Sequence, residues 1–305
     1  MSGAKLWAIT TYFNPTKSKL MLDNYRLFRA NLGLDLLTIE LSFDGSFELS
    51  KTDATAIHQI KGNHLNLLWQ KERLINIGLK LLPDSCEFVA WLDCDLIFEN
   101  QNWIREAERI LEKTAIIQLF DSVLYLQNGE QSTTGSYKVP GSVFNTMATD
   151  PVLYPSVRGE QMETPGNPGI AWAAQRAVLE SVELYDVAPI GGGDTLIFSA
   201  MFPDVFIVRN RITIDEKHWL HYHDWSVRFN QKVKNNVSWL EGSILHLWHG
   251  DLIKRQYVER NKILQKHLFD LFVDIELDDN SCWQWASCKP KMHNEIKQYF
   301  FSRLG

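Results

Sequence analysis

Cysteine is scarce in this sequence: Cys86, Cys94, Cys282 and Cys288 are the only four in 305 residues. No pair has C-x-x-C spacing and no dense framework exists, so reduced thiols in a cytoplasm are the expectation, with a Cys282–Cys288 pair as the alternative. No apolar run approaches the roughly 20 residues that span a bilayer. The opening MSGAKLWAITTYFNP also lacks the long apolar core of a signal peptide. Positive charge is not in excess: 31 Lys and Arg stand against 37 Asp and Glu, a net −6. General nucleic-acid binding, which depends on clustered cations neutralising phosphates, is therefore not expected. G-x-G-x-x-G, the P-loop and G-x-S-x-G are missing, which removes the usual signals for dinucleotide, ATP and acyl-transfer chemistry. Polar low-complexity tracts are missing too, and 45% of residues are hydrophobic, enough to build a large core.

The first half alternates apolar strands with amphipathic stretches. Leu6–Thr11, Leu36–Leu41, Phe88–Leu92 and Ala115–Phe120 read as buried strands. Asp23–Asn31, His64–Leu82 and Trp103–Lys113 read as helices, the second stopped by Pro83. This order predicts an α/β fold with a central, mostly parallel sheet flanked by helices. Gln127–Pro168 has no sustained period and is rich in Gly, Ser, Thr, Asn and Pro, the signature of a functional loop or lid. Beyond it, a helix over Ala171–Tyr185, a helix over Thr195–Phe202, strands at Val205–Val208 and Gly242–Trp248, and a helical tail are expected. The predicted organisation is one catalytic domain over 1–250, with a donor half to about 120 and a loop-rich acceptor half. Residues 251–305 form a helical extension.

Asp93 and Asp95 follow directly on the apolar run FVAWL, at the carboxyl end of a strand where open α/β sheets bind ligands. Two residues apart in extended backbone, they project to one side. Hard oxygen donors so placed suit Mg2+ or Mn2+, which bridges phosphate oxygens. The competing reading is a plain strand exit with one aspartate capping. The stretch Leu68–Phe98, with Arg73, Asn76 and Gly78 preceding Asp93-Cys94-Asp95, resembles the core of the GT-A nucleotide-sugar glycosyltransferases. That resemblance implies the GT-A fold and transfer of a sugar from a nucleotide-diphosphate sugar, UDP favoured, to an acceptor hydroxyl on a glycan or other molecule. It implies that Thr10, Thr11, Tyr12 and Glu40 lie near the base and ribose, and that Arg73 and Asn76 belong to the donor side.

Gly191-Gly192-Gly193-Asp194, after Asn167-Pro168-Gly169, looks like the pattern of inverting galactosyl- and N-acetylgalactosaminyltransferases. Glycines allow close backbone approach to a sugar, and Asp194 is the candidate general base, or equally a helix N-cap. The segment S-I-L-H-L-W-H-G resembles the late strand from which many GT-A enzymes supply a histidine to the metal. This favours His246 as ligand and leaves His249 for the diphosphate or for supporting the metal's ligands. By the same resemblance the basic and tyrosine side chains past the histidine, Arg255, Tyr257 and Arg260, would grip the diphosphate, Arg255 or Tyr257 before Arg260; the alternative is a solvated helix face of mixed charge. Two alternatives stand beside this reading. One is a metal-dependent hydrolase centred on His218–Asp224, a dense His-aromatic cluster. The other is a glycan-binding module without catalysis.

Overall fold

The computed structural model describes residues 5–128, 137–139, 141–149, 166–202, 208, 215–250 and 259–303. In chain order the first half runs β1 (Leu6–Tyr12), α1 (Lys19–Leu32), β2 (Leu36–Ser42), β3 (Ala56–Lys61), α2 (Lys71–Leu79), β4 (Phe88–Leu92), β5 (Leu96–Phe98), α3 (Trp103–Leu111), β6 (Ile116–Gln118) and β7 (Ser122–Tyr125). Then come β8 (Tyr137–Val139), α4 (Val143–Thr149), β9 (Ala171–Gln175), α5 (Arg176–Ser181), α6 (Gly193–Ala200) and α7 (Glu216–Val233). The chain closes with β10 (Val237–Trp239), β11 (Ser243–His246), α8 (Arg260–Lys266), β12 (Ile275–Leu277), β13 (Trp283–Trp285) and α9 (Pro290–Ser302).

The central sheet has the order β10-β6-β9-β4-β1-β2-β3 and is parallel except at β9, which is antiparallel to both neighbours. It is covered on both faces, as the apolar strands require. Along β4, Val89 and Trp91 pack into one core with Leu74 and Leu79 of α2 and Phe229 of α7. Phe88, Ala90 and Leu92 pack into the other with Phe28 of α1 and Trp103 of α3. That alternation is the period of two of a strand between helical layers. A second sheet, β5-β11-β7-β8, stands at the carboxyl end of β4, and β12-β13 form a hairpin. The C-terminal segment shares the first core through Leu264, Met292, Ile296 and Phe300.

Three expectations give way. The helix expected over 171–185 is strand β9 followed by the short α5. Alanines in A-W-A-A favour helix intrinsically, but this segment fills the slot between β4 and β6, and Trp172 stacks on Trp91 at 6.0 Å. The helix expected over 64–82 starts only at Lys71, because a capped turn at His64–Asn66 comes first. There Asn63 and Asn66 satisfy each other's backbone, and Asn66 and Gln70 both donate to the Trp283 carbonyl, diverting the chain. The tail is not purely helical, since it contains the β12-β13 hairpin. The strand expected at 205–208 and most of the expected lid lie outside the described residues. All four cysteines are free thiols.

Candidate functional site

A cleft of about 540 Å3 opens at the carboxyl end of β4, between the central sheet, the second sheet and the end of α9. Asp93 leaves β4 with its amide bonded to the Ile170 carbonyl at 2.9 Å, so β9 fixes the exit. The chain turns through Cys94 and Asp95 and enters β5, whose Leu96 is the register partner of His246 on β11. The Leu247 amide donates to the Asp95 carbonyl at 2.8 Å, locking the aspartate turn to the histidine segment. Ordinary antiparallel pairing thus sets Asp95 beside the end of β11.

Both histidines reach it. His249 Nδ1 lies 2.5 Å from Asp95 Oδ2 and His246 Nε2 lies 3.9 Å from Asp95 Oδ1. One donor atom from each of the three residues can be chosen so that all lie within 4.8 Å of one another, the one such group of His, Cys or acidic residues among the described residues. Extended backbone would send 246 and 249 to opposite sides, but the strand ends at His246 and the following turn brings the second ring back. Tyr125 of β7 stacks on His246 at 4.5 Å, and its hydroxyl accepts from Asn167 Nδ2 at 3.1 Å.

Asp93 belongs to a different group. Its Oδ1 lies 2.6 Å from Lys71 Nζ, and the same ammonium lies 3.1 and 3.2 Å from the two oxygens of Asp194. Burial alone would depress the Lys71 ammonium, but Asp194 and Asp93 outweigh it and raise its pKa, so it stays charged. Burial raises the Asp194 carboxyl above its ordinary value, opposed by Lys71 and reinforced by Asp93. Asp194 sits in the first turn of α6. The cap is Gly192, at φ 108°, and makes no side-chain capping bond, so Asp194 is not the N-cap. A Cβ on Gly169 would fall 3.1 Å from Asp194 Oδ2, so the N-P-G segment brings bare backbone up to the carboxylate. Beneath the pair, Glu72 is buried and its pKa is pushed up to about 8 by burial, with Lys71 opposing and Asp194 adding. Its carboxylate accepts from Trp69 Nε1 at 3.0 Å.

The remaining expected residues divide. Thr11 faces the cleft. Thr10 is buried, its hydroxyl donating to the Leu92 carbonyl at 2.7 Å. Tyr12 is buried with its hydroxyl on Glu48, and Glu40 accepts from the amides of Glu48 and Leu49 and from Gln59. These organise the loop after β2 and do not line the cleft. Arg73 pairs with Asp186 at 3.0 Å, and Asn76 exchanges hydrogen bonds with both backbone groups of Leu184. Both tie α2 to the chain before the glycine run, away from the cleft. Arg255 and Tyr257 lie outside the described residues.

The His218–Asp224 cluster is a helix face. His218 Nε2 meets the Val187 carbonyl at 3.1 Å, and His221 Nδ1 meets the Tyr185 hydroxyl at 3.0 Å. Burial lowers the His218 pKa to about 4, so it is neutral. His223 and Asp224 are exposed. A shared metal centre does not form there among the described residues.

Sequence reasoning missed Lys71 and Trp69, both on the cleft wall, and passed over Arg260, which lines it too, in favour of Arg255 and Tyr257. Lys71 carried a signal: a cation in the first turn of a helix opposes the helix dipole, so it needs a reason to be there.

No family model and no curated protein sequence matches the chain. Among solved structures it is similar to Staphylococcus aureus TarS 1–349 in complex with UDP, at 12% identity over 97% of this chain and 70% of that one, TM-score 0.44. It is also similar to glucosyl-3-phosphoglycerate synthase from Mycobacterium tuberculosis in complex with Mn2+, UDP and phosphoglyceric acid, at 15% identity over 94% and 88%, TM-score 0.39. Likeness at this level does not itself assign a chemistry.

Proposed function

We propose that the chain is a metal-dependent glycosyltransferase of the GT-A type, moving a hexosyl group from a nucleotide-diphosphate sugar, UDP favoured, to an acceptor hydroxyl. The observation that carries this reading is the triad Asp95, His246 and His249 standing in one cleft with the Lys71-bridged pair Asp93 and Asp194.

One carboxylate and two imidazoles fit Mn2+ better than Mg2+, which prefers an all-oxygen octahedron. Asp95, His246 and His249 would hold the ion, which when bound neutralises a diphosphate and improves it as a leaving group. Tyr125 keeps the His246 ring in place by stacking. Asp194 is the group suited to accept the proton of the acceptor hydroxyl at its Oδ, because burial makes it a stronger base than a surface carboxylate. Lys71 donates to the same carboxylate, so a turn of that ammonium toward an anionic ligand would release Asp194 as a base. Asp93 keeps Lys71 within reach of both.

The test is release of sugar from UDP-glucose and UDP-galactose, with and without Mn2+. Mn2+-dependent turnover is expected, falling about a hundredfold or more in Asp95→Asn and His249→Ala. Full turnover in both variants would refute the assignment.

A further inference from the structure

Beyond Asp194 the cleft changes character. The glycine run leads back to Gly191, at φ 92°, where a Cβ would lie 3.3 Å from Arg260 Nη1 and 3.4 Å from Trp69 Cδ2. Only a bare backbone lets these two side chains close on the turn. Trp69 is half-buried and held on several sides. Its Nε1 is fixed by Glu72, Phe13 meets it edge-on at 5.4 Å, Phe300 stacks at 6.5 Å, and the Arg303 guanidinium stands 5.0 Å over the ring. Arg260 is only 7% exposed, yet it lines the cleft, and its Nη1 donates to the Tyr299 hydroxyl at 3.3 Å. Arg303, which also stands 5.8 Å over the Tyr299 ring, and Arg260, bonded to the Tyr299 hydroxyl, therefore put two guanidinium groups at this aromatic end of the cleft.

Resting on the proposed transferase reading, we infer that Trp69, Arg260 and Arg303 form the acceptor subsite, and that the acceptor is a sugar or polyol bearing a phosphate or carboxylate group. The indole supplies an apolar face for ring or chain carbons. Guanidinium forks match the planar or tetrahedral oxygens of the anion. The attacking hydroxyl then lies toward Asp194, which the glycine run joins directly to this subsite. The rival role for the arginines is a clamp on the donor diphosphate, because the Arg303 carbonyl packs against Gly250, next to His249.

The experiment measures binding of glucose 6-phosphate and of glucose by calorimetry and phosphorus NMR, to the protein alone and to the protein saturated with UDP and Mn2+. Glucose 6-phosphate is expected to bind in both states without displacing UDP, and glucose to bind at least about tenfold more weakly. Arg303→Gln should weaken glucose 6-phosphate by about tenfold or more and leave UDP affinity within about twofold, while Arg303→Lys recovers part of the loss. Displacement of UDP by glucose 6-phosphate, or equal losses for both ligands in Arg303→Gln, would assign the arginines to the donor and overturn the inference. Equal affinity for glucose and its phosphate would overturn it as well. If UDP with Mn2+ does not bind at all, the transferase reading fails, whereas the measurement on the protein alone still decides the anion subsite.

Discussion

Lys71 is the side chain on which the cleft's electrostatics turn, because its buried ammonium lies between two carboxylates that would otherwise repel each other. Lys71→Met leaves those charges uncompensated, and breaking a buried pair from one side costs about 3 kcal/mol or more. Thermal unfolding should show a fall of several degrees, and adding Asp194→Asn should recover part of it. Glu72 makes a separate prediction. Its pKa in the fold, about 8, stands above the unfolded value of 4.5, so the native state holds a proton that the unfolded chain releases. Stability from this group is complete below about pH 4.5 and declines up to about pH 8. Glu72→Gln keeps the acceptor for Trp69 and removes the titration, so its melting temperature should change less between pH 5 and 8 than that of the wild type. Its advantage over the wild type should grow as the pH rises from 5 toward 8. An unchanged pH profile would show that Glu72 is ionised in the fold. Asp95 was legible from sequence because a strand end announced it. Lys71 was not, because its partners lie 22 and 123 residues away and only the folded chain brings them together.

At the scale of elements, the sequence pattern marks the strands on which the site depends. β1, β2, β4 and α3 lie where apolar runs and amphipathic spacing place them. What stayed hidden were elements whose identity is decided by neighbours. β9 reads as helix from its alanines and becomes a strand because two strands need a partner between them. α2 illustrates the same point from the polar side: Arg73 and Asn76 look like ligand residues in the motif, yet both anchor the 184–186 segment that leads to the glycine run. Asn76→Ala should therefore lower stability by about 1–3 kcal/mol through its unpaired backbone partners. Nucleotide affinity measured by calorimetry should remain close to wild type in the folded fraction. A large, selective loss of nucleotide binding without loss of stability would place Asn76 in the donor site instead. Gly193 sets a harder constraint, since a Cβ there would sit within bonding distance of the Glu72 carboxylate. Gly193→Ala should unfold α6 locally or displace Glu72, visible as loss of near-ultraviolet dichroism.

For the molecule as a whole, the cleft lies where a mostly parallel sheet, a small second sheet and the C-terminal helix meet, so ligand binding should couple to global stability. A ligand at a hundred times its dissociation constant adds about 2.7 kcal/mol, and UDP with Mn2+ should raise the melting temperature where either alone does less. The most direct check of the central claim is electron paramagnetic resonance of Mn2+ bound in the presence of UDP, resolving nitrogen couplings to the metal. Two imidazole nitrogens should couple in the wild type, and one should disappear in each of His246→Ala and His249→Ala. A bound ion coupled to no nitrogen, or the same couplings in both variants, would contradict the assignment of Asp95, His246 and His249 as the metal centre.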